Sequence, residues 1–466
     1  MSRINTNIPS LQAMTRYAKN SGDLNTHLQR LSTGLRINAG KDDPSGLIAS
    51  ETLRSEIQGI NQAVSNTQRA DNVINTAEGA LGEVSSLLLN LQSLTNQAAN
   101  TGALSDDEIE ANQLQVDSIL NSINRISNTT QFNGKKLLDG SLDYITSSVN
   151  SNAIDVLQVN AAKIPDNGAQ TLTVEVTQSA QVGHIDFTGT IGSAATTIEV
   201  AGVDGTEQIS FAAGVANSAV AYAINQISDS TGVSATGSAG GVSLDSNSYG
   251  ANAYVSVKAL KGSFVTGKDF GRDADVSING QKASVNGLKA SVRTNDLDVD
   301  VTLDKQFNTV DPAGTSFSIT GGGAKFQIGS RVQRQGQIQV GIGSVNATHL
   351  GDSQTGFLTT LGSGGDNSLV GGNTVQAQKI ITSAIKQVAT LRGRLGALQK
   401  NVLETNINSL NVALENVTAS ESDIRDADFA SETAALTRSQ ILVQANQSVL
   451  SQANSAPQAV LSLLRG

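Results

Sequence analysis

From Ile60 to Thr95 the chain carries a heptad row without a gap: Ile60, Thr67, Ile74, Leu81, Leu88 and Thr95, with Ala77, Val84, Leu91 and Ala98 as its companion row. A seven-residue repeat kept this long specifies a coiled-coil helix, roughly 60 Å at 1.5 Å per residue. Most of the stability of such a helix comes from partners laid along its apolar stripe. The chain supplies a candidate far downstream. Ile381, Ala384, Val388, Leu391, Leu395, Leu398 and Val402 alternate at three and four residues.

Both chain ends extend this pattern. Leu11, Met14, Ala18, Leu28, Leu31 and Leu35 form a first helical row, interrupted at Ser21 and Asn25. Asp42-Asp43-Pro44-Ser45-Gly46 has turn chemistry, with a proline suited to a helix start, and separates the first two helices. A third helix opens at Ser105-Asp106-Asp107-Glu108, which has capping-box spacing. It runs through Ile109, Val116, Ile119, Ile123 and Ile126 and ends before the Phe132-Asn133-Gly134 turn. Beyond Asp428 a last helix carries Leu442, Ala445, Val449, Ala453, Ala456, Val460 and Leu463, and between Ser431 and Gly466 only Glu432, Arg438 and Arg465 are charged. A helix this apolar at a chain end is a liability on a monomer. It is accounted for if it is buried between copies.

The middle changes period. Leu172, Val174 and Val176 alternate with polar residues, as do Val276 and Ile278, and Leu297, Val299, Val301 and Leu303. Asn279-Gly280 and Asn286-Gly287 are hairpin signals. The expected fold is therefore mainly α, a long antiparallel coiled-coil or helical bundle built from both chain ends, with a β-rich inserted outer domain. The expected divisions are 1–42 pairing with 425–466, 43–176 pairing with 326–424, and an insert at 177–325.

Composition narrows the partners. The 466 residues contain no cysteine and no tryptophan, and aromatics make up 3%, so the core is aliphatic and free of thiol chemistry. A net charge of -10 argues against nucleic acid, which needs concentrated Lys and Arg. No run of eighteen apolar residues occurs, so no membrane insertion is expected. The first thirty residues lack the charged, apolar and small-residue succession of a cleaved leader.

Particular residues identify a family. Leu31-Ser32-Thr33-Gly34-Leu35-Arg36-Ile37-Asn38 with Lys41-Asp42-Asp43, and Asn75-Thr76-Ala77-Glu78-Gly79-Ala80-Leu81, closely resemble N-terminal signatures of bacterial flagellins. Phe132-Asn133-Gly134-Lys135-Lys136-Leu137-Leu138-Asp139-Gly140 resembles the family's turn after the third helix. Asp426-Ala427-Asp428-Phe429-Ala430-Ser431-Glu432, Gln440-Ile441-Leu442-Val443-Gln444-Ala445 and Ala453-Asn454-Ser455-Ala456-Pro457-Gln458 match at the other end. The resemblance covers roughly residues 1–140 and 326–466. Within the insert, Ile209–Val257 resembles a small repeat found in flagellins and hook-associated proteins.

The resemblance implies an inner tube of terminal helices, a wall of the next helices and an outward insert, polymerised into an extracellular flagellar filament. The implied partners are further copies of the chain in a homopolymer, the export apparatus and its chaperone, the filament cap and the hook-junction proteins. Export without a cleaved signal peptide is implied as well. The interface is expected at Leu11, Leu28, Leu31, Leu35, Leu442, Ala445, Val449, Ala453, Ala456, Val460 and Leu463. The alternative is a hook-associated or filament-junction protein.

No residues point to catalysis, a cofactor or a metal. Leu35–Ala39 separate Gly34 from Gly40, one residue more than a nucleotide-binding loop takes, and Asp42 rather than Ser or Thr follows Lys41. Asp296, Asp298, Asp300 and Asp304 alternate with apolar residues, so they read as the solvent face of a strand and not as a calcium loop. His27, His184 and His349 are far apart and lack zinc-protease spacing, although some flagellins carry such a protease in the insert.

Overall fold

The structure is a computed structural model that describes residues 6–165, 168–192, 194–294, 296–307, 313–353 and 355–465, with side chains as far as 456. The chain forms two compact units. One comprises Met1–Arg69, Gln327–Gly336 and Val402–Gly466, and the other Ala70–Phe326 and Gln337–Asn401.

The helices are α1 (Ile8–Thr33), α2 (Pro44–Ala98), α3 (Asp106–Thr129), α4 (Asn217–Gln226), α5 (Ser228–Thr231), α6 (Thr374–Leu398), α7 (Thr405–Arg425) and α8 (Phe429–Arg465). Helix α1 starts where the Asn7 side chain accepts the Ser10 amide. It ends at Gly34, whose φ of 72° is open to a residue without a side chain. Ser21 and Asn25 lie inside it without a break, because flanking packing overrides their modest preference against helix. The Asp43 carboxylate accepts the Gly46 amide at 2.9 Å, which caps the start of α2.

All ten residues of the heptad rows on α2 are buried, Ile60 at 3% exposure being the most open. Helix α2 runs beyond the heptads to 55 residues. In the first unit Glu51 meets Arg425 at 3.0 Å and Thr67 accepts from Asn406 at 3.3 Å, so α7 runs antiparallel to α2. In the second unit Asn75 accepts from Gln399 at 3.0 Å and Glu78 meets Arg392 at 2.8 Å, so the downstream helix is antiparallel there too. Between α6 and α7 the helix widens into a π turn at Gln399–Glu404. The turn inserts one residue into the periodicity. Burial passes from Val388 and Leu395 to Leu403, and the expected Val402 is only half-buried.

The β region of the second unit is antiparallel throughout its larger sheets. One five-stranded sheet orders Gln281–Lys282, Asp275–Ile278, Gln170–Gln178, Ala313–Gly322 and Tyr144–Ser147. A four-stranded sheet orders Ser284–Asn286, Lys289–Arg293, Leu297–Leu303 and Ile154–Ala162, and the two share a core around Phe317, Val174 and Val299. A second core, around Ile198, Ile224 and Leu244, lies among two further sheets and α4.

One expectation for this region is corrected. Asp300 does not face solvent; it is buried. Lys289 lies 3.4 Å from one of its carboxylate oxygens and Arg293 3.6 Å from the other. The outer face of its strand lines a cavity of about 330 Å³ whose other wall is α6, including Arg394. Burial pushes the Arg394 guanidinium down from its ordinary value, and the charges of Asp298, Asp300 and Asp143 oppose that. Alternation in sequence cannot tell a solvated polar face from one covered by a basic helix.

Phe317 is fully buried at the centre of the first β core. Phe317→Ala is expected to cost about 3–5 kcal/mol, read from the denaturant midpoint of the sheet's circular dichroism signal. A loss below about 1 kcal/mol would mean that the site collapses around the deletion.

Candidate assembly interface

Helices α1 and α8 pack along each other in opposite directions. Asn7 donates from its side chain to the Ala453 carbonyl at 2.7 Å, and the Ser10 hydroxyl donates to Asn454 at 2.6 Å. At the other end Arg30 donates to Glu432 at 2.9 Å, and His27 Nδ1 lies 2.5 Å from the second carboxylate oxygen. Past the end of α1 the chain pairs as a short strand. Leu35 bridges Asp426, the Arg36 amide donates to the Arg425 carbonyl at 2.7 Å, and the Ala427 amide donates to the Gly34 carbonyl at 2.9 Å.

The seam between the two helices is the unexpected part. On α1 the residues removed from water are Ser10, Ala13, Tyr17, Asn20, Ser21, Leu24, His27, Arg30 and Leu31, again at three-and-four spacing. On α8 they are Glu432, Ala435, Leu436, Ser439, Val443, Asn446, Leu450 and Ala453. Both rows are rich in polar groups. Leu24, Leu31, Leu436, Val443 and Leu450 lie among those groups, yet several other large apolar residues are left outside the seam. Leu11 is 63% exposed, Met14 65%, Leu28 47%, Leu442 43% and Val449 56%.

The eleven expected interface residues therefore divide. Leu11, Leu28, Leu442, Ala445, Val449 and Ala456 are exposed on the outward sides of the pair. Leu31 and Ala453 are half-buried in the seam, and Leu35 is half-buried on the strand pairing beyond α1. The side chains of Val460 and Leu463 lie outside the described residues. Sequence periodicity had not singled out Tyr17, Leu24, Leu436, Val443 and Leu450, nor the ionic cluster of His27, Arg30 and Glu432. The available signal was one acid in an almost uncharged helix and a histidine and an arginine, three residues apart, on the other terminal helix.

Glu432 is the electrostatic centre of the seam. Burial pushes its carboxyl up, but hydrogen bonds from His27 and Arg30 outweigh that and hold it below the usual glutamate value. A depressed carboxyl stabilises the fold above its unfolded pKa of about 4.3, and that contribution is lost as pH falls through the lower folded value.

In the β region His184 lies between Asp245 at 2.6 Å and Asp186 at 3.0 Å, and its backbone amide donates to Asp269. The Ser243 hydroxyl donates to Asp186 and not to the imidazole, so this is not a relay that activates a nucleophile. Hydrogen bonds to Asp245 first, then Asp186, raise the His184 pKa above its ordinary 6.5. Among the described residues no group of three or more His, Cys, Asp or Glu could hold a metal ion, and no helix is long and apolar enough to cross a membrane.

Paired terminal helices that leave large apolar residues exposed, on a chain that also carries a heptad helix and a β-rich middle, describe a helical-arm protein. The comparisons make this specific. The bacterial flagellin N-terminal helical region matches residues 4–143, and the bacterial flagellin C-terminal helical region matches residues 378–464. The B-type flagellin of Pseudomonas aeruginosa is 34% identical over 99% of both chains. Flagellin of Clostridium tyrobutyricum is 31% identical over 98% of this chain and 100% of its own, and flagellin of Salmonella typhimurium 30% over 99% of both. The chain belongs to the bacterial flagellin family, whose members are structural proteins of the flagellar filament. Among solved structures, hook-associated protein-3 from Legionella pneumophila is 15% identical with a TM-score of 0.32, covering 80% of this chain and 98% of its own. FliC from Burkholderia pseudomallei is 19% identical with a TM-score of 0.25, covering 71% and 98%.

Two outcomes are expected. Glu432→Gln weakens the α1–α8 seam by about 2 kcal/mol at neutral pH, read as faster amide hydrogen exchange at residues 27–33 and 430–439. Because the native contribution is already lost at sufficiently acid pH, native and variant chains converge there. The His184 ring is expected to titrate above 6.5 in an NMR pH series. Its contribution to local stability is complete below the unfolded pKa and lost as pH rises through the raised value.

Proposed function

We propose that the chain is the major subunit of the filament, and that it polymerises by burying the outward faces of α1 and α8 against equivalent helices of neighbouring copies. The observation that supports this reading is the exposure of Leu11, Met14, Leu28, Leu442 and Val449 on a helix pair whose own seam is half polar. Burying one such side chain contributes about 1.5–3 kcal/mol. Small residues such as Ala445 and Ala456 allow close helix approach, and head-to-tail contacts that do not close generate a helical polymer.

Assembly is coupled to ordering of the terminal helices, which leave large apolar side chains unburied in the free subunit. In this reading residues 1–42 and 425–466 build the inner tube, 43–176 and 326–424 the wall, and 177–325 the outer surface. The protein is not an enzyme. It meets the export apparatus and its chaperone, the filament cap and the hook-junction proteins.

Seeded growth followed by electron microscopy tests the proposal. Full-length chain is expected to lengthen filament seeds, whereas a chain lacking Ser431–Gly466 is expected not to. Val449→Asp is expected to raise the critical concentration about tenfold or more. Long fibres from the truncated chain would refute the mechanism. Seeds that become capped and stop growing would identify a junction protein instead.

A further inference from the structure

An Asn-Gly pair carries its own reagent. The glycine nitrogen bears no bulky neighbour, so it can attack the asparagine side-chain carbonyl carbon when its N–H is free and the turn can open. Three such pairs fall wholly in the described residues, and the fold treats them differently. Asn133-Gly134 closes the hairpin in which Phe132 pairs with Lys135, and Asn279-Gly280 closes the one in which Ile278 pairs with Gln281. All four turn residues have positive φ, 50° and 79° in the first and 52° and 76° in the second, and all four are exposed. Open space surrounds both glycines, and among the described bonds none engages either glycine amide.

Asn286-Gly287 is different, although its sequence signal is the same. Here the turn is displaced by one residue. Asn286 ends a strand and pairs with Lys289, which leaves Gly287 and Leu288 as the central residues. The Gly287 amide donates to Asp273 Oδ1 at 2.7 Å, and Gly287 is buried. A side chain there would come within 2.6 Å of the Tyr249 carbonyl oxygen.

We infer that Asn133 and Asn279 are sites of spontaneous covalent deamidation, and that Asn286 is protected by the Asp273 hydrogen bond and close packing. In the reaction the glycine nitrogen forms a bond to asparagine Cγ. The Cγ–Nδ2 bond breaks, and ammonia leaves with the proton that the glycine amide gives up. Water then opens the cyclic imide. Opening at Cγ yields aspartate, and opening at the main-chain carbonyl yields isoaspartate, whose backbone is one carbon longer. Either product adds a negative charge to a hairpin tip. Isoaspartate also destroys the two-residue loop length that sets the Ile278–Gln281 and Phe132–Lys135 register.

The test is a time course on the full-length chain in warm, mildly alkaline buffer, sampled by peptide mapping with enzymatic isoaspartate methylation. Asn133 and Asn279 are expected to convert at least about tenfold faster than Asn286 while the protein is folded. In guanidinium the three rates are expected to converge. Equal rates in the folded chain would overturn the inference, as would no conversion of Asn133 and Asn279 while the denatured chain reacts. Asp273→Ala, checked for folding by circular dichroism, is expected to release Asn286 to a rate near that of Asn279. A folded variant in which Asn286 stays protected would remove the hydrogen bond as the cause.

Discussion

The first unit is organised by a mismatch between the two sides of one helix pair. Helices α1 and α8 interleave Ser10, Asn20, His27, Arg30, Glu432, Ser439 and Asn446 with Leu24, Leu31, Leu436, Val443 and Leu450 in their seam, and leave Leu11, Met14, Leu28, Leu442 and Val449 on the outside. A pair that folded only for its own sake would bury those five as well. Polar contacts give such a seam direction and register while contributing little net stability, because each replaces a contact with water. The apolar surface left over is what makes the helices partners for something else.

Helix α2 answers the opposite demand. Its rows are filled from Ile60 to Ala98 by aliphatic, alanine and threonine side chains, and each is inside. The two buried threonines keep this compatible with a low-polarity stripe: Thr67 and Thr95 return their hydroxyl hydrogens to the carbonyls of Ala63 and Leu91, one turn back. No buried hydroxyl of the row then needs water.

What could be read from the amino acids follows from these two cases. The α2 rows were legible because burial and apolar character agree at every position but the two threonines. The alternating strand at Leu172–Val176 was legible for the same reason, and Leu297–Leu303 was legible at its apolar positions. The terminal faces were legible as apolar but not as outward. The intrachain seam mixes polar residues such as Asn20 and Ser439 with two short heptad rows, Tyr17, Leu24 and Leu31 and Leu436, Val443 and Leu450, which stronger apolar rows beside them masked. The burial of Leu403 in place of Val402 was hidden because the π turn changes the count by one residue without any proline or glycine to mark it. Asp300 was misjudged because its cover arrives from α6, far along the chain. The two hairpin signals at Asn279 and Asn286 were equal in sequence, yet the Asp273 contact shifted one turn by a residue.

Glu432 also works as an indexing key. Because it is the only acid on α8 and is clasped by two side chains of α1, it fits in one axial setting. Sliding either helix by a single turn, about 5.4 Å, would leave a carboxylate stranded without its donors in a place poorly supplied with water. The other seam residues, small or uncharged, tolerate such a displacement. One side chain near the loop between the chain's last two helices thereby fixes where every outward leucine and valine beyond it falls.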